Sequence, residues 1–122
     1  MKTVKPDQIA IVDDDDAARH ALQFLLKVLG HTPISYASAA NFLESDIRAF
    51  ACLILDQHMP GMTGVELAQR LRAEANTIPI MLISGDLTAD VVEKAERIGI
   101  NMISEKPPVL KALSGFIDSA LA

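Results

Sequence analysis

The sequence predicts an α/β fold: a doubly wound, five-stranded parallel sheet with helices on both faces. Short apolar runs alternate five times with segments in which apolar residues recur at the spacing of a helix. Two of the runs, ACLIL and PIMLI, are apolar throughout, which is typical of strands buried on both faces of a parallel sheet. Strict alternation of the two kinds of segment indicates crossover connections that each contain a helix.

The five predicted strands are short. They are QIAIV (8–12), PISY (33–36), ACLIL (51–55), PIMLI (79–83) and INMIS (100–104). PISY has the weakest pattern of the five. Because right-handed crossovers place the carboxyl ends of parallel strands at one edge of the sheet, we expect ligands to bind at that edge.

The five helices are predicted from apolar stripes and from residues that begin or end helices. The first runs from Ala17 to Leu29 with Gly30 as its C-cap, and the second is a brief helix that Ser38 caps and that carries Phe42 and Leu43. The third runs from Val65 to Arg72, with an exposed face of Glu66, Gln69, Arg70 and Arg72. The fourth runs from the cap Thr88 to Ile98 and stops at Gly99, and the last begins at Val109.

Composition restricts the class of protein. A chain of 122 residues, half of them apolar, is long enough for one domain with a single core and is not expected to be disordered. The net charge of −5 argues against a nucleic-acid-binding protein. The single cysteine, Cys52, lies inside an apolar run, which is typical of a buried thiol in a reducing compartment.

No targeting or membrane segment is predicted. No apolar run approaches the ~20 residues that span a bilayer. The opening MKTVKPDQIAIV has two lysines, but Asp7 and the shortness of its apolar stretch argue against a signal peptide. We therefore expect a soluble, cytoplasmic protein.

Acidic and polar residues cluster at the carboxyl ends of the predicted strands. The run Asp13–Asp16 follows the first strand, Asp56 the third and Ser84 the fourth, and Ser104, Glu105 and Lys106 end the fifth. If strands 1 and 3 are neighbours, their carboxylates lie about 5 Å apart and repel by roughly 3 kcal/mol at an effective dielectric constant of about 20. Such a cluster needs a cation, and an all-oxygen ligand set favours Mg²⁺ over zinc.

Each of these residues also has a simpler explanation. Asp15 and Asp16 are typical of a helix N-cap and first turn, and a single Asp after a strand is typical of a turn. An EF-hand is excluded because Ala17 and Ala18 stand where a ligand and a glycine are required. His20 and His31 have no partner at ligand spacing and are expected at the surface, and Met59 and Met62 are expected to pack. The convergence at one sheet edge is what predicts a functional site.

Four motifs, IVDDD, LILDQHMPGMTG, MLISGD and SEKP, occur in this order over nearly the whole chain. Together they resemble the receiver domain of two-component response regulators, and the DDDD and SEKP segments most resemble FixJ-type receivers. The resemblance implies the flavodoxin-like, CheY-like (βα)5 fold with strand order 2-1-3-4-5. It also implies a single receiver domain over residues 1–122 with no output domain in this chain, either as a stand-alone receiver or as part of a larger regulator.

The resemblance implies a phosphorelay function in which Asp56 accepts a phosphoryl group from a sensor histidine kinase or a phosphotransfer protein. Mg²⁺, for which Mn²⁺ is an expected substitute, would be held by Asp14 directly, by Asp13 through a water, by Asp56 and by the backbone carbonyl of His58. Such a domain catalyses its own phosphorylation and dephosphorylation and is not a turnover enzyme.

The resemblance assigns two further phosphoryl contacts and one backbone feature. Ser84 would donate a hydrogen bond to one phosphoryl oxygen, and the ammonium of Lys106 would pair with another. The Lys106–Pro107 peptide bond would be cis and would aim the ammonium at Asp56. The family also implies possible dimerisation through helix 4, strand 5 and helix 5, with no binding to nucleic acid or membrane by this chain.

The chain departs from the family pattern at positions that affect output more than chemistry. Ile103 stands where a switch Tyr or Phe is common, and Pro108 stands where a bulky apolar residue is usual, although Pro is compatible with the first turn of a helix. The resemblance implies that His58 and Asp86 occupy positions at which the family adjusts the lifetime of its acyl phosphate.

Two other functions are alternatives to that of a receiver. A haloacid-dehalogenase-like phosphatase also uses an Asp nucleophile with Mg²⁺, but it needs a second Asp where this chain has His58. A phosphorylation-independent pseudo-receiver, acting as an interaction module, usually lacks one of the acids or the lysine, and this chain has all of them.

Overall fold

A computed structural model describes residues 6–122 and places one five-stranded sheet in that part of the chain. Its strands are β1 (Gln8–Val12), β2 (Thr32–Tyr36), β3 (Phe50–Asp56), β4 (Ile80–Ser84) and β5 (Met102–Glu105). Neighbouring strands are parallel and follow the order β2-β1-β3-β4-β5. The predicted fold class and strand order are confirmed.

Five α-helices connect and follow the strands. They are α1 (Asp16–Val28), α2 (Ala39–Leu43), α3 (Gly64–Ala73), α4 (Ala89–Arg97) and α5 (Leu110–Leu121), with a 3₁₀ turn at Ile47–Ala49. Each agrees with its predicted position to within about one turn. Across residues 6–122, no helix has the length and apolar character needed to cross a bilayer.

Side-chain caps fix where four of the helices begin. The Asp15 carboxylate caps α1, and the hydroxyls of Ser38 and Thr88 cap α2 and α4, each by accepting a hydrogen bond from a first-turn N–H. Thr63 and Glu66 form a reciprocal capping box at α3. The capping roles predicted for Asp15, Ser38 and Thr88 are confirmed.

The alternation of side chains along the strands divides the core between the two faces of the sheet. One face packs against α1 and α5 and includes Ile9, Ile11, Cys52, Ile54, Met81 and Ile83. The other packs against α2, α3 and α4 and includes Ala10, Val12, Leu53, Leu55, Ile80 and Leu82. Because both faces are covered, the apolar runs ACLIL and PIMLI are buried apart from their half-buried first residues, Ala51 and Pro79, in agreement with the prediction from their sequences.

The buried thiol of Cys52 matches its prediction. The residue is completely buried, and burial raises the pKa of its thiol to about 12, so it packs as a small apolar side chain. The two lysines of the opening segment, Lys2 and Lys5, lie outside the described residues.

The predicted position of β5 was wrong by two residues at its start. Ile100 and Asn101 belong instead to the turn that follows α4. The N–H of Ile100 donates to the carbonyl of Ala95, closing the helix end. The side-chain oxygen of Asn101 accepts from the N–H of Ile80, 2.9 Å away, so a side chain holds the first residue of β4 before β5 begins.

The predicted environment of Arg72 was also wrong. This side chain is half-buried, and its guanidinium donates to the carbonyl oxygens of Asn76, Ile78, Ile98 and Gly99. It therefore joins the C-terminal ends of α3 and α4 instead of lying on an exposed face. Burial lowers the pKa of this guanidinium.

Pro108 does not open the last helix. Val109 is the N-cap and α5 begins at Leu110, so Pro108 lies in the connection before the helix. The fixed backbone torsion of proline therefore shapes the β5–α5 loop and not the first turn.

Gly64, the first residue of α3, lies against the end of β3. A Cβ at this position would stand 2.6 Å from the backbone oxygen of Asp56 and 2.8 Å from Cδ1 of Leu82. We expect Gly64→Ala to lower the free energy of unfolding by about 1–3 kcal/mol, because backbone has to move to admit the methyl group. Urea denaturation measures this. Gly115→Ala in α5, where a Cβ meets nothing within 4 Å, is the matched control and should be neutral or stabilising. Equal stability of the Gly64 variant and the wild type would contradict the close packing.

Candidate functional site

The residues predicted for the site converge at the carboxyl edge of the sheet. Asp13 follows β1, Asp56 and Ser84 are the last residues of β3 and β4, and Lys106 follows β5. Asp13, Asp56 and Ser84 are 0 to 2% exposed. Buried polar side chains of this kind need a partner or a ligand, and their position is where open α/β sheets bind ligands.

Three carboxylates meet at this edge. Asp13, Asp14 and Asp56 each offer an oxygen, and these oxygens lie within 4.8 Å of one another. Asp14 is exposed to solvent while the other two are buried. The spacing agrees with the distance expected for acids on neighbouring strands, and the mutual repulsion is relieved by a cation.

The backbone around Asp13 is held from two sides. Its Oδ1 accepts from the N–H of Asp15 at 3.0 Å, and its carbonyl oxygen accepts from Nη1 of Arg19 at 2.7 Å. The same guanidinium also pairs with Asp16. Sequence reasoning did not identify Arg19, although a basic residue one turn into a helix that follows an acidic run was an available signal.

Lys106 reaches into the acidic cluster from the β5–α5 connection. Its Nζ lies 2.9 Å from Oδ2 of Asp13 and 3.5 Å from Oδ2 of Asp56. Its backbone N–H donates to the carbonyl of Ser84 at 2.9 Å, which ties this connection to the end of β4. The Lys106–Pro107 peptide bond is cis.

Burial and charge shift the pKa values of this cluster. Burial, followed by the nearby charge of Asp13, raises the pKa of Asp56 to about 6, while Lys106 and the backbone N–H of His58 oppose the increase. Burial alone would lower the pKa of Lys106, but the Asp13 and Asp56 carboxylates outweigh it and leave that pKa raised. Lys106 is therefore a cation, and Asp56 is ionised at neutral pH.

The donor set fits a hard divalent cation. All the candidate ligand atoms are oxygens, as Mg²⁺ requires. Oδ2 of Asp13 is completely buried, and its partner among the described residues is the Lys106 ammonium, which pairs with it as an ion at 2.9 Å. One ammonium does not balance the charge of three carboxylates, and a bound cation with its waters would offset the remainder.

Ser84, Asp86 and His58 form the rim of the site. The Ser84 hydroxyl oxygen accepts from the N–H of Asp86 at 3.1 Å. The exposed ring of His58 lies with Nε2 at 3.4 Å from the backbone oxygen of Asp86. The two positions predicted to adjust the acyl-phosphate lifetime are thus adjacent and bridge the loops after β3 and β4.

Ile103 lies away from this cluster. It is half-buried on β5 and packs against the part of the core that contains Leu82 and Ala95 of α4. The residue is therefore placed to contact α4.

The sequence of this chain also matches a known family of domains. The model of the response regulator receiver domain matches residues 9–117 of this chain. The chain belongs to the receiver-domain family of response regulators. It is therefore a receiver domain of two-component signal transduction, and its resemblance to that family is confirmed.

Similar regulators have further sequence beyond the receiver. The chain is 32% identical over 114 residues to the transcriptional regulatory protein FixJ of Bradyrhizobium diazoefficiens, covering 93% of this chain and 56% of that protein. It is 37% identical over 114 residues to the response regulator protein TodT of Pseudomonas putida, covering 93% of this chain and 50% of that protein. The receiver thus spans about half the length of these relatives.

A solved FixJ-N structure has the same fold. It superposes on this receiver with a TM-score of 0.84 at 30% identity, covering 96% of this chain and 94% of that one. The predicted similarity to FixJ-type receivers and the CheY-like architecture are both confirmed by these comparisons.

Proposed function

We propose that Asp56 is the phosphoacceptor of this receiver and takes a phosphoryl group from a phosphohistidine of a sensor histidine kinase or phosphotransfer protein. One observation carries the proposal: the buried Asp56 lies 3.5 Å from the Lys106 ammonium, within an acidic cluster at the carboxyl edge of the sheet. A buried carboxylate beside a fixed cation is a suitable nucleophile for phosphoryl transfer, because most of the catalysis is positioning and electrostatics.

In the transfer, a carboxylate oxygen of Asp56 forms a bond to phosphorus as the bond from phosphorus to the donor imidazole breaks and its electron pair returns to the ring nitrogen. The Lys106 ammonium pairs with one phosphoryl oxygen as charge develops. The Ser84 hydroxyl, which accepts from Asp86 in this structure, turns its own O–H toward a second phosphoryl oxygen. Neither group exchanges a proton with the phosphoryl group.

Mg²⁺ is the proposed cofactor, with Mn²⁺ as a substitute. Asp14 would hold it directly, Asp13 through a water, and Asp56 and the backbone carbonyl of His58 would complete the protein ligands. When bound, the metal offsets charge on the phosphoryl oxygens. The exposure of Asp14 and burial of Asp13 support this division of roles, since the exposed carboxylate can adjust to the ion.

Small phosphodonors provide a direct test of this function. With acetyl phosphate and Mg²⁺, the protein should gain the mass of one phosphoryl group on a base-labile acyl linkage, because the acidic cluster and Lys106 supply the chemistry without a kinase. Intact-mass spectrometry measures the gain. Excess chelator should abolish it and added Mn²⁺ should restore it. Undiminished labelling in the chelator would contradict the metal-dependent mechanism.

The acyl phosphate would be removed by hydrolysis in the same site. His58 and Asp86 stand at its rim and would control the approach of water, so we assign them the tuning of its lifetime. Receiver domains are generally not turnover enzymes on external substrates, and self-catalysed phosphorylation and hydrolysis would be the chemistry of this one. The pseudo-receiver alternative is disfavoured because every acid and the lysine are present.

The phosphodonor partner is proposed to dock beside the site on an apolar surface. Across residues 6–122, the large apolar side chains that are most exposed lie on or next to α1 and at the start of α5: Phe24, Val28, Leu29, Val109 and Leu110. A groove of about 340 Å³ lies between α1 and the Lys106–Pro108 segment, with Lys106 of the site in its lining, and Leu29 and Leu110 line a separate groove together. Exposed apolar clusters of this kind mark protein contacts.

The remaining assignments are also proposals. Residues 1–122 would form one receiver domain acting in the cytoplasm, without contacts of its own to membrane or nucleic acid. The face formed by α4, β5 and α5 would serve dimerisation, since β5 is an edge strand of the sheet and edge strands offer unpaired backbone groups.

Phosphorylation is expected to move the β4–α4 loop more than the side chain at position 103. Ile103 is β-branched, stiff about its first torsion and smaller than an aromatic ring. We expect beryllofluoride, which mimics the phosphoryl group, to cause its largest NMR shift changes at residues 84–88 and only modest ones in α4 and α5. An Ile103→Ala variant should retain both sets. Loss of the α4 and α5 changes, with those around Asp56 intact, would show instead that Ile103 is the relay.

A further inference from the structure

Gln57 lies between the proposed phosphoacceptor and the residue whose carbonyl is a proposed metal ligand. It is 7% exposed, which is unusual for a glutamine. Its parity along β3 places its side chain on the same face as Leu53 and Leu55, toward α3. The mechanism above gives this buried polar residue no role.

Three hydrogen bonds hold Gln57 in place. Its backbone N–H donates to the carbonyl of Ile83 at 2.9 Å, and its carbonyl accepts from the N–H of Gly64 at 3.1 Å. Its side-chain Oε1 accepts from the N–H of Val65 at 2.8 Å. The residue therefore links the end of β3 to β4 on one side and to the first turn of α3 on the other.

The bonds to α3 occupy helix donors that have no partner within the helix. Gly64 and Val65 are its first two residues, and their N–H groups are among the four that a helix leaves unpaired. Thr63 caps only the N–H of Glu66. Gln57 thus binds the two donors that the cap leaves free.

The consequence is a closed loop between residues 57 and 64. Both ends of the segment 58–63 are joined directly, through the Gln57 carbonyl and the Gly64 N–H, and the Gln57 side chain adds a second attachment at Val65. The first residue of this segment is His58. The His58 carbonyl therefore belongs to the residue next to Gln57, whose backbone and side chain are both held by hydrogen bonds.

We propose that Gln57 is a positioning residue for the metal site, holding the β3–α3 loop so that the His58 carbonyl faces the carboxylates of Asp13, Asp14 and Asp56. This inference rests on the proposed function, since it assumes that these oxygens bind Mg²⁺. Gln57 itself contributes no ligand. It acts through the orientation of a ligand, as hydrogen-bond partners outside the coordination sphere do at other metal sites.

The test is the Mg²⁺ dissociation constant of Gln57→Met, measured by isothermal titration calorimetry. Methionine keeps the length and unbranched shape of glutamine but accepts no strong hydrogen bond. We expect binding to weaken by about tenfold, at the lower end of what loss of an orienting partner costs. Thr63→Val is the matched control. It removes the other first-turn bond of α3, so it should lower the urea midpoint but leave the Mg²⁺ constant within error of wild type.

The outcomes separate the two proposals. If the wild type binds no Mg²⁺, the proposed function fails. If the wild type binds and Gln57→Met binds equally well, or if Thr63→Val weakens binding as much, the role of Gln57 is overturned while the proposed function stands.

A second measurement needs no variant. Because coupling between two events is reciprocal, Mg²⁺ should strengthen the loop attachment that favours its binding. The exchange of the Val65 amide hydrogen in the wild type should therefore slow several-fold on addition of Mg²⁺, while that of Val91, which Thr88 caps at the start of α4, changes little. Unaltered exchange at Val65 in saturating Mg²⁺ would overturn the inference even if Gln57→Met does not fold.

Discussion

Asp56→Asn should reduce phosphorylation by acetyl phosphate in the presence of Mg²⁺ to background. Asparagine keeps the size of the side chain, but its amide oxygen is not a nucleophile for phosphorus. The other groups of the site, including Lys106 and the buried Asp13, remain in place. Intact-mass spectrometry of the wild type and the variant under the same conditions measures the effect.

The matched control for this loss is Asp86→Asn. Asp86 is also an acid at the carboxyl edge of the sheet, but it is exposed and lies outside the cluster of three carboxylates. Its variant should still take up one phosphoryl group, although the lifetime of the product can change. Labelling of Asp56→Asn to the wild-type extent would show that the phosphoryl group resides elsewhere.

Asp56→Asn should also stabilise the folded protein when no metal is present. The pKa of Asp56 is about 6 in the folded chain, against an ordinary value of 3.8. Between these two pH values the folded state holds a proton that the unfolded state releases, so the free energy of unfolding falls as the pH rises through that window. Above about pH 6 the full cost of ionising Asp56 in the folded state applies. In chelator at about pH 7.5, Asp56→Asn should raise the free energy of unfolding by about 1–2 kcal/mol after solvent screening.

Urea denaturation at two pH values distinguishes this effect from a general one. Near pH 4 the gain should nearly vanish, since the carboxyl is then protonated in the folded wild type as well. Saturating Mg²⁺ should stabilise the wild type more than the variant, because only the wild type offers the full set of carboxylates. Exposed Asp86→Asn should change little in either condition. If Asp56→Asn is less stable than the wild type at neutral pH in chelator, the conclusion that burial and Asp13 destabilise the ionised Asp56 is wrong.

Periodicity was sufficient to predict the fold and most element boundaries. The continuous apolar runs of β3 and β4 predicted buried strands. The helix starts after Ser38 and Thr88 follow from the capping side chains of these two residues. Two of the errors occurred where a polar side chain replaces a backbone partner. Asn101 holds Ile80 before β5 begins, and Arg72 binds carbonyls of Ile98 and Gly99 that lie far along the chain. Local sequence carries no information on such distant partners.

The candidate site was predictable to a similar degree. The acids, Ser84 and Lys106 follow strand ends, so the topology alone brings them together. Gln57 was missed because a glutamine after a strand usually faces solvent. The available signal was its parity with Leu53 and Leu55, which directs its side chain toward α3. The shift in the pKa of Asp56 required the actual burial and the actual distance to its neighbours, which no sequence pattern specifies.

The most direct test of the central assignment is chemical localisation of the phosphoryl group on the wild-type protein. Borohydride reduction of the acyl phosphate, after reaction with acetyl phosphate and Mg²⁺, converts the modified aspartate into homoserine. Peptide sequencing by mass spectrometry should then find homoserine at position 56 alone, with none in samples treated with chelator. Homoserine at position 13 or 14, or a phosphoryl group on a histidine, would contradict the account.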